Sequence, residues 1–222
     1  MRVTTQMVNQ SAKEAGIPLN RNSLLNYING GTTDVNSTIE ELNKSKTRKA
    51  NAESAKKYEE LEKTAEQLKT SAAEFTKQGE LSVFEKAKLS GDNTQIHAAA
   101  ESFITKYNAM LKDLKSTPGA LNDYYAKMLK DATAENEEAL KKVGITLEKD
   151  GTLKVDKSVL ESADLESLEK AFGTTGTLST KAAFLASRIE NNAYENAKSI
   201  SNHSNASGQA YAATSSRYDF LG

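Results

Sequence analysis

The chain has 222 residues, a formal net charge of −1, an apolar fraction of 37%, a mean hydropathy of −0.61, no Cys, no Trp and two Pro. The near balance of acidic and basic residues argues against nucleic acid or an anionic membrane as the main partner, since both reward a basic surface. Without cysteine there is no disulfide scaffold, thiol nucleophile or Cys-ligated metal, and so modest an apolar fraction suits long amphipathic helices that bury a stripe.

In chain order, residues 1–33 are polar and punctuated by Gly16, Pro18, Gly30 and Gly31, which predicts a flexible N-terminal segment. Its opening, MRVTTQMVNQSAKEAG, lacks the apolar core of a cleavable signal peptide, and no run approaches transmembrane length. The expectation is a soluble protein, either cytoplasmic or exported by a route that uses no such peptide.

From about Asp34 to Lys77 nothing breaks a helix. Tyr58, Leu61, Ala65, Leu68, Ala72 and Phe75 alternate steps of three and four, a seam of coiled-coil type. Val35, Ile39 and Leu42 form a second patch upstream, and the polar NKSKTRKANAES between them predicts a weakly packed middle. Gly79 and the cluster Ser90-Gly91-Asp92-Asn93 mark a break. Ile96, Ala100, Phe103, Tyr107, Met110 and Leu114 then describe the cleanest amphipathic helix in the chain. Thr117-Pro118-Gly119 ends it, because Pro removes a backbone donor and disfavours helix at the preceding residue. Leu121, Tyr125, Met128 and Ala132 begin another helix, which Leu140 and Val143 close.

The stretch Val143–Phe172 is the most informative. Ile145 and Leu147 alternate with polar residues, Asp150-Gly151 supplies a turn, and Leu153 and Val155 alternate again. Asp-Gly between alternating apolar residues predicts a hairpin, since a type I′ turn needs positive φ and glycine adopts it freely. Asp156 stands where a helix N-cap would stand, with Val159 and Leu160 expected to face inward. Gly173 to Gly176 is a second break, after which Leu178, Ala182, Leu185, Ile189, Ala193 and Ile200 mark a final long helix. The tail after Ser201 is rich in Ser, Asn and Ala and is expected to fray, yet it carries Tyr211, Tyr218, Phe220 and Leu221.

These elements predict a mainly α fold, an elongated antiparallel helical bundle or coiled coil over 34–200 with one small β-hairpin at 144–156, between flexible segments 1–33 and 201–222. The 34–77 helix should pack with those at 94–115 and 178–200, and a helix over 120–143 should complete the bundle. The hairpin's apolar face should cover one end against Phe172.

Chemistry-bearing constellations are absent from the pattern. His97 and His203 have no third ligand at metal-binding spacing. GTTGT at Gly173–Thr177 lacks the Lys-Ser/Thr of a phosphate loop, and Lys149-Asp150-Gly151 lacks the alternating acids and closing Glu of a calcium loop. The pairs Glu40-Glu41, Glu59-Glu60 and Glu137-Glu138 lie among lysines on polar helix faces. The expectation is no enzyme, no cofactor and no metal.

Several of these features also occur together in one known family. Phe103-Ile-Thr-Lys-Tyr107-Asn108-Ala-Met-Leu111, then Gly144-Ile145, Asp150-Gly151-Thr-Leu153, Asp156 through Leu160, and Ala171-Phe172 follow each other in an order that resembles the C-terminal region of the bacterial flagellar filament capping proteins, also called hook-associated protein two. The resemblance covers roughly residues 92–205. The opening MRVTTQMVNQS is in turn similar to the start of flagellins and hook–filament junction proteins. Capping proteins carry large β-rich domains between the halves of their helical stem, where this chain has only the connection Gly79–Asn93. The resemblance therefore implies the stem and the domain nearest it, export through the flagellar channel, and terminal helices that order on assembly. It implies a structural, extracellular flagellar subunit that self-assembles or contacts flagellin, with no nucleic acid partner and no membrane insertion. Met7 and Val8 at the start and Tyr211, Tyr218, Phe220 and Leu221 at the end are the expected assembly residues. The alternative is a cytoplasmic helical binding module, such as a flagellar export chaperone or a coiled-coil adaptor.

Overall fold

The computed structural model describes Glu14, residues 33–174 and residues 176–205, with side chains placed from Leu42 to Ser201 apart from Leu81 and Thr175. The fold is mainly α with one two-stranded antiparallel sheet. Helix α1 runs Thr33–Thr76, and a 3-10 turn at Gly79–Leu81 leads to α2, Val83–Ser90. Helices α3 (Thr94–Ser116), α4 (Ala120–Ala134) and α5 (Glu137–Lys142) follow. Strands β1 (Ile145–Leu147) and β2 (Leu153–Val155) precede α6 (Lys157–Ser162), α7 (Leu165–Phe172) and α8 (Leu178–Asn205). The chain divides into two compact units, 1–55 with 199–222, and 56–198. In the first, Leu42 and Ala55 of α1 are buried.

The second unit holds the main core. Leu61, Ala65, Leu68, Ala72 and Phe75 of α1 are all buried, as the three-and-four spacing requires, with Tyr58 half-buried at the edge. On α3, Ile96, Ala100, Phe103, Tyr107, Met110 and Leu114 are completely or almost completely buried, joined by Ile104 and Leu111. Phe75 meets Phe103 edge to face while Asp113 lies against Thr64 and Glu60, so α1 and α3 run antiparallel. Lys69 pairs with Glu190, which places α8 against α1 as well. The inner stripe of α8, Leu178, Ala182, Leu185, Ile189 and Ala193, is buried, with Ala186 beside it. Small residues alternate with Leu or Ile along the buried seams of α1 and α8, and wide aromatic side chains collect at one place. There Phe75, Phe84, Phe103 and Phe172 form a cluster, with Phe75 stacked on Phe172 at 4.8 Å between ring centroids.

The structure departs from the sequence reading in four places. The helix expected over 120–143 is two, because Asn136 turns the chain after Ala134. Its amide donates back to the Ala132 carbonyl and lies 3.0 Å from the Thr177 hydroxyl. Helix α4 is also rotated by about one position. Leu121 is exposed and Tyr125 and Met128 are half-buried, whereas Asn122, Ala126, Leu129, Ala132 and Thr133 face the core. The two polar members of that face have fixed partners, Asn122 donating to the Thr117 carbonyl and Thr133 meeting Tyr107. Val159 is exposed while Leu160 is buried.

Finally, the hairpin loop is longer than a two-residue type I′ turn. The Gly151 N–H donates to Glu148 O at 2.9 Å and the Glu148 N–H to Thr152 O at 2.8 Å. Lys149 and Asp150 thus occupy the turn, and Gly151 follows with φ +91 as the left-handed residue that closes a three-residue loop. The strands pair Ile145 with Val155, Thr146 with Lys154 and Leu147 with Leu153. The Asp156 carboxylate accepts from the Ser158 and Val159 N–H groups and from the Ser158 hydroxyl, the N-cap its position predicts.

Gly144 fixes how α5 enters the hairpin. Its φ is +78, and a Cβ there would stand 2.7 Å from Val159 Cβ and 2.9 Å from the Asp156 carbonyl oxygen. Gly144→Ala is therefore expected to cost about 2 kcal/mol in urea unfolding, and a change below about 0.5 kcal/mol would count against this tight entry.

Candidate functional site

The most highly constructed part of the molecule is the docking of the hairpin onto α3. Four residues of α3 reach the segment 150–157. Lys115 Nζ donates to Asp150 O at 3.0 Å, the Tyr107 hydroxyl to Gly151 O at 3.2 Å, Asn108 engages Leu153, and Glu101 receives Lys157 Nζ at 3.0 Å.

The Asn108 contact follows from strand chemistry. Opposing residues in an antiparallel pair alternate between hydrogen-bonded and non-bonded rungs. Glu148 bonds Thr152, and Asp156 N–H bonds Gly144 O at 2.7 Å, which makes Leu147–Leu153 a non-bonded rung. The N–H and C=O of Leu153 consequently point off the edge of β2. The Asn108 side chain meets both, its Oδ1 accepting from Leu153 N–H and its Nδ2 donating to Leu153 O, each at 2.8 Å. One primary amide thereby does the work of a third strand.

Tyr107 lies one position earlier, fully buried against Phe103. Its hydroxyl is 3.1 Å from Thr133 Oγ1 and 3.4 Å from Leu129 O, so it ties α4 to the same loop. Burial pushes the phenol up from 10.0 to about 12, and it stays neutral throughout the physiological range. A phenol raised in the folded state stabilises that state up to its unfolded value and loses this contribution as pH rises through the folded one. Stability should thus decline between pH 10 and about 12. Tyr107→Phe should remove that part of the decline, in thermal midpoints measured across this range beside the parent chain, while lowering stability at neutral pH by about 1–2 kcal/mol. Identical alkaline profiles for the two chains would contradict the assignment.

Around the loop, Asp150 is held below the usual carboxylate range by hydrogen bonds from the Thr152 hydroxyl and N–H, and Asp156 likewise by Ser158 and Val159. Depressed carboxyls stabilise the folded state above their unfolded values and lose that contribution as pH falls through the folded ones. Acid should therefore weaken the turn and the cap only as pH falls below the ordinary carboxylate range.

Other sites singled out from the sequence carry less. In the break between α7 and α8, the Gly176 N–H donates to Gly173 O at 3.1 Å. His97 on α3 is half-buried, and its Nε2 finds no hydrogen-bond partner among the described residues. The side chain of His203 and all six expected assembly residues, Met7, Val8, Tyr211, Tyr218, Phe220 and Leu221, lie outside the described residues. Among the described residues no cluster of three or more His, Cys, Asp or Glu could hold a metal ion, and no helix is long and apolar enough to cross a membrane. A shallow groove of about 340 Å3 between α1 and α3 is lined by Gln67, Ser71, Ala99 and Lys106 among others, without a convergent set of reactive groups.

One surface escaped the sequence reading. The outer face of α8 carries Phe184, 58% exposed, and Tyr194, 48% exposed. Arg188 lies over the Phe184 ring at 5.2 Å and Lys198 over the Tyr194 ring at 5.6 Å from the centroids. Their spacing, an aromatic followed four residues on by a cation, was the available signal.

Comparison with protein-family models, with curated proteins and with solved structures finds no match.

Proposed function

We propose that this protein is an exported structural subunit of the bacterial flagellum, related to the filament cap and acting by self-assembly or by contact with flagellin. The observation that carries this reading is the convergence of the residues behind the resemblance. Tyr107, Asn108, Gly144, Gly151, Leu153 and Asp156 are spread along the chain, yet they meet in one docked module. Widely spaced motif residues with mutually dependent physical roles are a more specific signature than the same letters matched independently.

The connection from Gly79 to Asn93 is a 3-10 turn and one short helix, so the proposal covers stem-like assembly and leaves out the central domains of a working cap. Assembly contacts fall to Met7, Val8, Tyr211, Tyr218, Phe220 and Leu221, apolar side chains that gain by burial against partner subunits. The test is the location of the tagged protein in flagellated cells and in cells of the same strain lacking flagella. The expected result is an extracellular signal that depends on flagella, and retention in the cytoplasm of flagellated cells would overturn the proposal.

A further inference from the structure

The outer face of α8 has a pattern that complements itself. At about 3.6 residues per turn, Phe184, Arg188, Asn191, Glu195 and Lys198 fall on one stripe, with Ser187 and Tyr194 together along one flank. Phe184, Arg188, Asn191, Tyr194, Glu195 and Lys198 are all exposed. The stripe is nearly palindromic in character about Asn191, with Phe184 and Lys198 equidistant from it and Arg188 and Glu195 almost so.

We infer that this stripe is the contact surface for a second copy of the chain, paired antiparallel through α8 about a two-fold axis at Asn191. The geometry of such a pair can be worked out from the helix alone. The two-fold axis lies in the contact plane across both helices, so each flank meets the same flank of its partner at the mirrored height. Asn191 then meets itself. Phe184 meets Lys198 of the second copy, and the reverse contact occurs at the other end. Arg188 meets Glu195 on the flank they share, again twice. Tyr194 meets Ser187, a small residue that leaves room for the ring.

Two physical facts favour a second copy over an unrelated occupant. Each lone chain already satisfies its rings with the cation one turn away, Arg188 over Phe184 and Lys198 over Tyr194. In the pair, Lys198 moves onto the partner's Phe184, which frees Arg188 for the partner's Glu195. Among the described residues Arg188 and Glu195 have no ion-pair partner within the chain, so the pair supplies one without breaking another. Secondly, charges of opposite sign stand on either side of the axis, and only an antiparallel copy brings them together. A parallel copy would put like on like.

The contact is one helix against one helix over about four turns, well short of the roughly 1,200 Å2 of a standard stable interface. The pair alone is therefore weak, forming at high micromolar chain concentration or where subunits are held close. It does not depend on the flagellar reading, and either can fail without the other.

The absence of native cysteine makes the test direct. In the full chain, Asn191→Cys puts a thiol on the axis, and mild oxidation should join two copies by a disulfide. Cross-linking is expected to run about tenfold faster than for Lys127→Cys, an exposed control position on α4, because the pair raises the effective thiol concentration. In the Asn191→Cys background, Arg188→Glu and Glu195→Arg singly should each slow the reaction about tenfold, since each reverses two contacts per pair. Combining them should restore it, with the helical circular dichroism unchanged in every variant. Cross-linking at Asn191→Cys no faster than at the control, or a double reversal no better than the singles, would overturn the proposal.

Discussion

Replacing Phe75 by Ala is expected to lower the unfolding free energy by about 3–5 kcal/mol, the largest effect of any single substitution considered. Phe75 is 1% exposed and touches the rings of Phe84, Phe103 and Phe172. Those rings belong to α2, α3 and α7, so one side chain from the end of α1 joins three other helices. Its removal leaves a cavity that none of the three can close without abandoning its other contacts. Native domains are stable by only about 5–15 kcal/mol, so the variant should unfold at markedly lower urea. Phe75→Leu keeps much of the volume and loses the stacking on Phe172, and it should cost about 1–2 kcal/mol. A loss below about 1.5 kcal/mol for the Ala variant would mean that the cluster is not the joint described.

Asn108→Ala is expected to cost about 2–4 kcal/mol. Both backbone groups of Leu153 lose their partner, and Leu153 is itself only 3% exposed, so water cannot freely replace the amide. The more discriminating variant is Asn108→Asp. At neutral pH its carboxylate still accepts from the Leu153 N–H but opposes the Leu153 carbonyl, which raises its folded pKa above the unfolded value. A group raised in this way stabilises the fold below its unfolded pKa and loses that contribution as pH rises through the folded one. The deficit of Asn108→Asp relative to the parent chain should therefore shrink as acid protonates the carboxyl and restores a donor. A deficit that is flat from pH 7 down to about 4 would show that the side chain does not bridge the strand edge.

Much of this architecture was legible from periodicity. The α3 stripe holds position by position, because a helix buried along one face has to repeat its apolar residues every three or four positions. The α4 face did not read correctly, since side-chain hydrophobicity favours Leu121 over Asn122. Nothing local reveals that Asn122 has a carbonyl waiting at Thr117, or that Thr133 has Tyr107. The hairpin was legible as a hairpin, and its loop length was not, because Asp-Gly suits either a two-residue or a three-residue connection.

The docking contact was the least accessible. Asn108 and Leu153 are 45 residues apart, and the pairing depends on which rungs of the ladder are bonded, a matter of register that composition does not encode. The outer face of α8 was overlooked for another reason. Its aromatic residues stand off the buried stripe, and a search for core positions passes over them.

The amide of Asn108 has a consequence beyond holding the hairpin in place. A strand edge with free N–H and C=O groups is a template on which a foreign strand can grow, and short sheets are vulnerable because nothing else covers them. At Leu153 that template is already occupied by a side chain of the same molecule. The hairpin therefore cannot recruit neighbours by strand addition through Leu153. Crowded copies of the chain are steered away from amyloid-like stacking at that rung, and association is left to helical surfaces, where it can be reversed.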